Sequence, residues 1–413
     1  MMAAASVRSD RLPAWSLFAG VLSAAGLPIY IYAPKYYADT FGVSLTALGA
    51  VLFGLRLLDV VQDPVLGWVS ERLGSRRRMA VASGAALLAV SMLGLFAVAP
   101  PLSPLVWFGM TITGLFTAFS FLTINFYAEG IGKAEAMRGG HVRLAAWRES
   151  GALLGVCIAA IAPTVLIGMT GSPFAAFAFG FATLAILAAV FMAPEWGRGP
   201  LAVEPARFQT ILGDRMARRL LLLAFLNATP LAVTSTLFLF FVESRLAGPG
   251  WEGGLLVLFF LSAALSAPLW GYLARRFGEK AILLLAMGLA ILGFIFAAFL
   301  GAGDVLPFAV ICVATGAATG ADLTLLPALF ARRMATVSPN GGQGFGLWSL
   351  VTKASLAVAA VVLLPTLEAA GFAAGQATQP EAALQTLTYL YALVPLALKC
   401  LAIGLLAVTK LED

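Results

Sequence analysis

Twelve apolar runs, each long enough to cross the roughly 30 Å hydrocarbon core of a bilayer, occupy most of this 413-residue chain. They fall at about 13–38, 43–70, 79–98, 103–129, 142–169, 174–193, 219–242, 252–274, 280–300, 304–331, 345–369 and 386–408. Inside a bilayer every backbone polar group needs an internal partner, so the choice is between helices and a closed barrel. The runs are continuous rather than alternating, which argues against a barrel. Composition agrees, with 61% hydrophobic and 11% charged residues, where a soluble domain carries about 25% charged. The expected fold is all-α and integral to the membrane, with twelve transmembrane helices in two six-helix bundles.

Charge placement orients the chain. With the N-terminus in the cytoplasm, the connections holding Arg76, Arg77, Arg78, Lys133, Arg143, Arg215, Arg218, Arg275, Arg276, Arg332 and Arg333 are cytoplasmic too. The other side offers Lys35 and Arg245. This bias places both termini inside. It also explains the net charge of +6 without nucleic acid. Met1–Arg11 has no small-residue cleavage site, so the first run reads as an uncleaved span. The polar stretch 194–218 separates an N-terminal bundle, 1–193, from a C-terminal bundle, 219–413. The halves echo each other: Pro64, Gly67, Arg72 and Gly74 in one match Pro268, Gly271, Arg276 and Gly278 in the other.

Charges inside the runs point to function. Arg56, Asp59 and Asp63 share one face of span 2 at i, i+3 and i+7, with Gln62 beside them. An acid or arginine at mid-bilayer costs roughly 2.5–3.5 kcal/mol even on the lenient insertion scale, so such residues face a polar interior. Two neighbouring carboxylates repel, and either Na+ or a proton relieves the repulsion. A self-neutralising cluster that locks helices together is the structural alternative. Lys353, a third of the way into span 11, needs an anionic partner, and the span 2 acids are the obvious ones. Asp322 in span 10 could pair with Lys353 or shape an inner gate. Arg148 and Glu149, entering span 5, either snorkel or belong to a charge network. Asn125 in span 4 either lines a cavity or bonds between helices. Lys399 in span 12 is unassigned. The tyrosines of span 1, Tyr30, Tyr32, Tyr36 and Tyr37, read best as interfacial belt residues.

The run Arg56-x-x-Asp59-x-x-Gln62-Asp63-Pro64-x-x-Gly67-Trp68 resembles the span 2 signature of the glycoside–pentoside–hexuronide:cation symporters, the melibiose-permease family of the major facilitator superfamily. The Arg148 segment and Lys353 add to the likeness. The resemblance implies cation binding at Asp59 and Asp63, with Gln62 as an amide ligand and Thr123 nearby. It puts Arg148 near a sugar site and Lys353 against the span 2 acids. Asp322, Glu149, Asn125 and Arg56 complete the expected substrate or charge network. Melibiose permeases carry sugar-binding Asp residues in spans 1 and 4; here Asp39 sits at a span end, and span 4 offers Thr123 and Asn125. In place of an acidic residue, the turn expected after span 10 reads Ala331-Arg332-Arg333-Met334.

The expected function is cation-coupled symport, with Na+ or H+, of a small, sugar-like organic solute by alternating access. A carrier of lipid-like or amphipathic solutes is the alternative within transport. A non-transporting membrane protein is the alternative outside it. No HExxH, P-loop or nucleophile–base pair supports an enzyme. Cys157, Cys312 and Cys400 lie in apolar runs and read as buried thiols, and His141 lies beside a basic loop. No cofactor is expected beyond the coupling ion. The expected partners are the solute, a monovalent cation and the bilayer, in a monomer of a bacterial inner membrane.

Overall fold

The structure, a computed structural model, describes residues 11–26, 32–137, 140–167, 169–196, 208–372 and 379–410. Pro28 and Tyr30 of the first run lie outside the described residues, as do the side chains of Arg56 and Asp59. The described residues are helical throughout, without strands: α1 (Leu12–Ala24), α2 (Ala33–Phe41), α3 (Leu45–Arg72), α4 (Arg77–Phe96), α5 (Pro104–Glu135), α6 (Gly140–Ile167), α7 (Pro173–Met192), α8 (Phe208–Gly213), α9 (Arg215–Phe240), α10 (Glu252–Phe277), α11 (Glu279–Phe294), α12 (Val305–Val337), α13 (Gly342–Ala369), α14 (Glu381–Thr388) and α15 (Val394–Val408). A π-helical turn, Phe241–Arg245, prolongs α9; a 3₁₀ turn, Ile295–Phe299, prolongs α11; a second π turn joins α14 to α15. Ten of these runs are long and apolar enough to cross a membrane. α3 is 28 residues long and carries the polar stripe of span 2.

Several helix limits differ from the sequence expectation: α5 runs on to Glu135, the first run is described as α1 and α2, and the last run begins at Glu381. α9 starts at Arg215 rather than 219 because Asp214 caps it, accepting the Ala217 N–H at 2.7 Å. α12 runs on to Val337, so Arg332 and Arg333 lie on a helix and not in a turn. At 33 residues it is about 50 Å long, well beyond the hydrocarbon core. Its last turns and those of α5 lie at the end where α3 meets α4, here termed the basic end, and their inner faces are buried there.

Each half has an aromatic core. Trp15, Phe18, Phe126 and Trp196 pack in the first, with centroids 5.0–5.5 Å apart. Phe241 stacks on Tyr391 at 4.1 Å in the second, against Phe308. A third core mixes the halves at the basic end, joining Ile124, Ile131 and Val142 to Phe330, Met334 and Phe345. Two of the span 1 tyrosines, Tyr32 and Tyr37, face inward instead of forming a belt. Tyr37 is fully buried and donates to the Leu95 carbonyl, and Tyr32 donates to that of Ala160. Cys157 and Cys312 are buried as expected, whereas Cys400 lies on an exposed face of α15.

The halves meet along two seams, α3 against α13 and α6 against α10. Glycine permits both. A Cβ on Gly67 would lie 2.5 Å from the Gly342 carbonyl oxygen, and one on Gly271 3.1 Å from the Ala146 side chain. These approaches close the basic end.

Candidate functional site

Asp63 lies nine residues from the basic end of α3, a depth of about 13 Å, and is fully buried. Its carboxylate faces the other half. Lys353 Nζ of α13 lies 2.9 Å from Oδ2 and 3.1 Å from Oδ1, and Ser349 Oγ donates to Oδ2 at 2.6 Å. Lys353 also donates to Ser120 Oγ of α5 at 2.7 Å. Ser349 and Lys353 are four residues apart and share one helix face. Gly346 removes the bulk that would otherwise hold α13 away, since its Cβ would come within 2.9 Å of the Asp63 carbonyl oxygen. The partnership expected for Lys353 is therefore made by Asp63. The side-chain position of Asp59, and that of Arg56, lies outside the described residues.

Around this bridge the polar side chains divide. Gln62 Oε1 accepts from Thr117 at 2.9 Å, while Gln62 Nε2 is buried without a hydrogen bond. Thr123 Oγ1 is likewise buried and unbonded. Asn125 bonds between helices, accepting from Ser70 at 2.8 Å and donating to the Phe121 carbonyl; of its two readings the interhelical one holds. A residue not singled out in the sequence, Glu71, closes the seam below. It accepts from the Gln343 backbone N–H and side-chain amide, both at 2.8 Å, and from Ser338 at 3.4 Å. Near a span end Glu71 looks like an ordinary interfacial acid, so no sequence signal marks it.

Arg148 and Glu149 do not snorkel; they are only 4% and 7% exposed. Arg148 Nε donates to Glu149 Oε1 at 2.9 Å, and its guanidinium lies over the Tyr127 ring at 3.7 Å. The Tyr127 hydroxyl donates to the same Glu149 oxygen at 3.0 Å.

Glu149 and Tyr127 reach a cavity of about 490 Å³, whose remaining walls come from α9–α13 and α15. Most of the lining is apolar, including Leu231, Phe259, Phe294, Leu323 and Trp348. Pro230, Pro327 and Pro395 also line it, where proline interrupts the helical hydrogen-bond ladder. The charged group on the C-terminal wall is a surprise. Asp322 pairs with Lys399 of α15 and not with Lys353, and Lys399 also donates to Asn227 of α9 at 2.7 Å. The pairing follows from helix position: α13 turns Lys353 towards the seam, whereas α15 packs on α9 inside the C-terminal half. Lys399 stands out in the sequence without an assignment, and Asn227, the one amide side chain of its run, could have been found beside it. Among the described residues no three His, Cys, Asp or Glu side chains converge as a metal site.

Comparison with known proteins agrees with this architecture. A family profile described as MFS/sugar transport protein matches residues 17–413. The raffinose permease of Escherichia coli is 27% identical over 117 residues, which cover 27% of this chain and 28% of that one. The match thus spans just over a quarter of the permease. Among solved structures, a bacterial homologue of the iron transporter ferroportin in an outward-facing state superposes with a TM-score of 0.70 at 16% identity, over 96% of this chain and 98% of its own. The E. coli fucose:proton symporter FucP superposes with a TM-score of 0.64 at 15% identity, over 96% and 99%. At such identities the likeness shows the fold alone. The chain belongs to the MFS/sugar transport family and has the multi-pass, all-helical architecture of the major facilitator fold.

Proposed function

We propose that this carrier couples solute movement to a monovalent cation, Na+ or H+, through Asp63. The observation that carries the reading is the buried Asp63–Lys353 bridge between halves. Lys353 acts as a tethered cation. A proton on Asp63 removes the charge that holds Lys353, and a Na+ ion competes for the same oxygens. Either event loosens the α3–α13 seam at the place where the bundles must part. Asp59, one helical turn away on the same helix, is the second acid of this unit. Gln62 and Thr123, each with an unmet polar atom, are its neutral ligands.

In this reading the solute occupies the cavity, and Arg148, Glu149 and Asp322 shape its polar walls. Asn125 is a structural bond beside it. The sealed basic end is cytoplasmic, by the excess of Lys and Arg there, so the structure is the outward-facing form. The protein works as a monomer in a bacterial inner membrane, with both termini inside and the two bundles divided at about 194–218. A sugar-like solute fits the relationship to the raffinose permease. The mostly apolar lining supports an amphipathic solute as the second reading, and saturable uptake of a plain hydrophilic sugar counts against it.

A thermal-shift screen of solutes, with and without Na+ and across pH, tests the coupling. A solute and a cation that bind the same state stabilise it together, each raising the other's affinity. The expected result is a solute whose stabilisation grows at least several-fold with Na+ or with acidification. Solute binding indifferent to both contradicts coupling.

A further inference from the structure

The Asp322–Lys399 pair belongs wholly to the C-terminal half and takes no part in the Asp63 bridge. Both residues, and Asn227 beside them, are more than nine-tenths buried. Lys399 Nζ donates to Asp322 Oδ2 and to Asn227 Oδ1. Asp322 Oδ1 is buried and makes no hydrogen bond of ordinary geometry, with the Asn227 amide as its nearest polar neighbour. All three residues line the cavity. A pair serving only to tie α12 to the helices beside it gains from satisfying both carboxylate oxygens within the protein. Here one oxygen is satisfied and the other left open.

The charge balance narrows what can meet that oxygen. Each carboxylate on the cavity wall has its own cation, Lys399 for Asp322 and Arg148 for Glu149. The wall is neutral in sum, so an anionic solute meets two carboxylates and a cationic one gains no net attraction. A neutral solute with hydroxyl donors can satisfy the open acceptor without adding charge. The volume, about 490 Å³, is within the usual range of small-molecule sites, about 300–1,000 Å³. We propose that Asp322 is the solute's anchor in the C-terminal half, its open Oδ1 accepting a hydroxyl of a neutral hydroxylated solute. Lys399 is the positioning residue that holds the carboxylate by its other oxygen and aims it. Glu149, reaching the same cavity from α6, lets one solute touch both halves at once. This rests on the reading that the cavity is the solute site.

The test is equilibrium binding to the purified full-length protein, without gradients. Raffinose and sorbitol are the probes, with choline and glutarate as cationic and anionic controls. Wild type is expected to bind at least one hydroxylated probe more tightly than either control. Asp322→Asn should weaken that binding tenfold or more. The double variant Asp322→Asn/Lys399→Gln removes both charges; it should melt closer to wild type than Asp322→Asn does and still fail to bind, which separates anchoring from folding. In wild type, the bound probe should also protect Asp322 from a hydrophobic carbodiimide. Unchanged affinity in Asp322→Asn, preference for glutarate or choline, or no binding of either hydroxylated probe overturns the proposal. Binding through Asp322 that ignores Na+ and pH leaves this subsite standing and removes the coupling reading. Cation-linked binding that ignores Asp322→Asn does the reverse.

Discussion

A buried charge in this chain is expensive alone and tolerable in company, and that rule orders the residues. Asp63 is fully buried and held by Lys353 and Ser349. Lys353→Met leaves the carboxylate without its cation and should cost about 3–5 kcal/mol, whereas Asp63→Asn/Lys353→Met should recover most of that loss. Denaturant unfolding of the three proteins in one detergent measures both. Asp63 and Lys353 were legible in the sequence because few charges lie deep in the apolar runs, and opposite signs in such runs must meet. Ser349 and Ser120 were not, since serine is common in packed membrane helices. Asp322 was legible as a residue in need of a partner, but two lysines were available. Only the packing of α15 on α9 decides for Lys399.

At the scale of the helix, long apolar runs gave existence and order, while caps and close approaches set limits and contacts. Apolar content falls off near 219, yet α9 begins at Arg215 because Asp214 supplies the cap. Arg333 of α12 donates to both carboxylate oxygens of Asp214, at 3.0 and 2.5 Å, and this fork holds the carboxyl below its ordinary range. A folded pKa below the unfolded one adds stability above the unfolded value, near 3.8. That stability is lost as pH falls through the folded value. Wild type should therefore lose more stability than Asp214→Asn on acidification below about pH 4. At neutral pH the variant should be the weaker by no more than about 1 kcal/mol, for the lost ion pair with Arg333, since asparagine caps the helix as well as aspartate does. Melting curves from pH 3 to 7 for both proteins report the two effects. The pairing of α3 with α13 was foreshadowed by Lys353 alone. Its intimacy depends on Gly67, Gly342 and Gly346 facing each other, and glycine is too frequent in this chain for sequence to choose those three.

For the whole molecule, two six-helix bundles form one carrier with a closed basic end and a cavity set mainly against the C-terminal half. The weak repeat of Pro64 to Gly74 in Pro268 to Gly278 announced the two bundles. It could not announce the asymmetry. Asp63, the acid proposed to bind the cation, lies in the N-terminal bundle, while most of the cavity wall belongs to the other. That division suits a machine in which the ion unlocks a seam and the solute fills the space behind it. Separating the two steps tests the account most directly: in proteoliposomes, compare gradient-driven accumulation with solute counterflow for wild type and Asp63→Asn. The account predicts that the variant loses uphill accumulation by tenfold or more under either a Na+ or a proton gradient, while counterflow continues. Accumulation by Asp63→Asn to the wild-type level contradicts it.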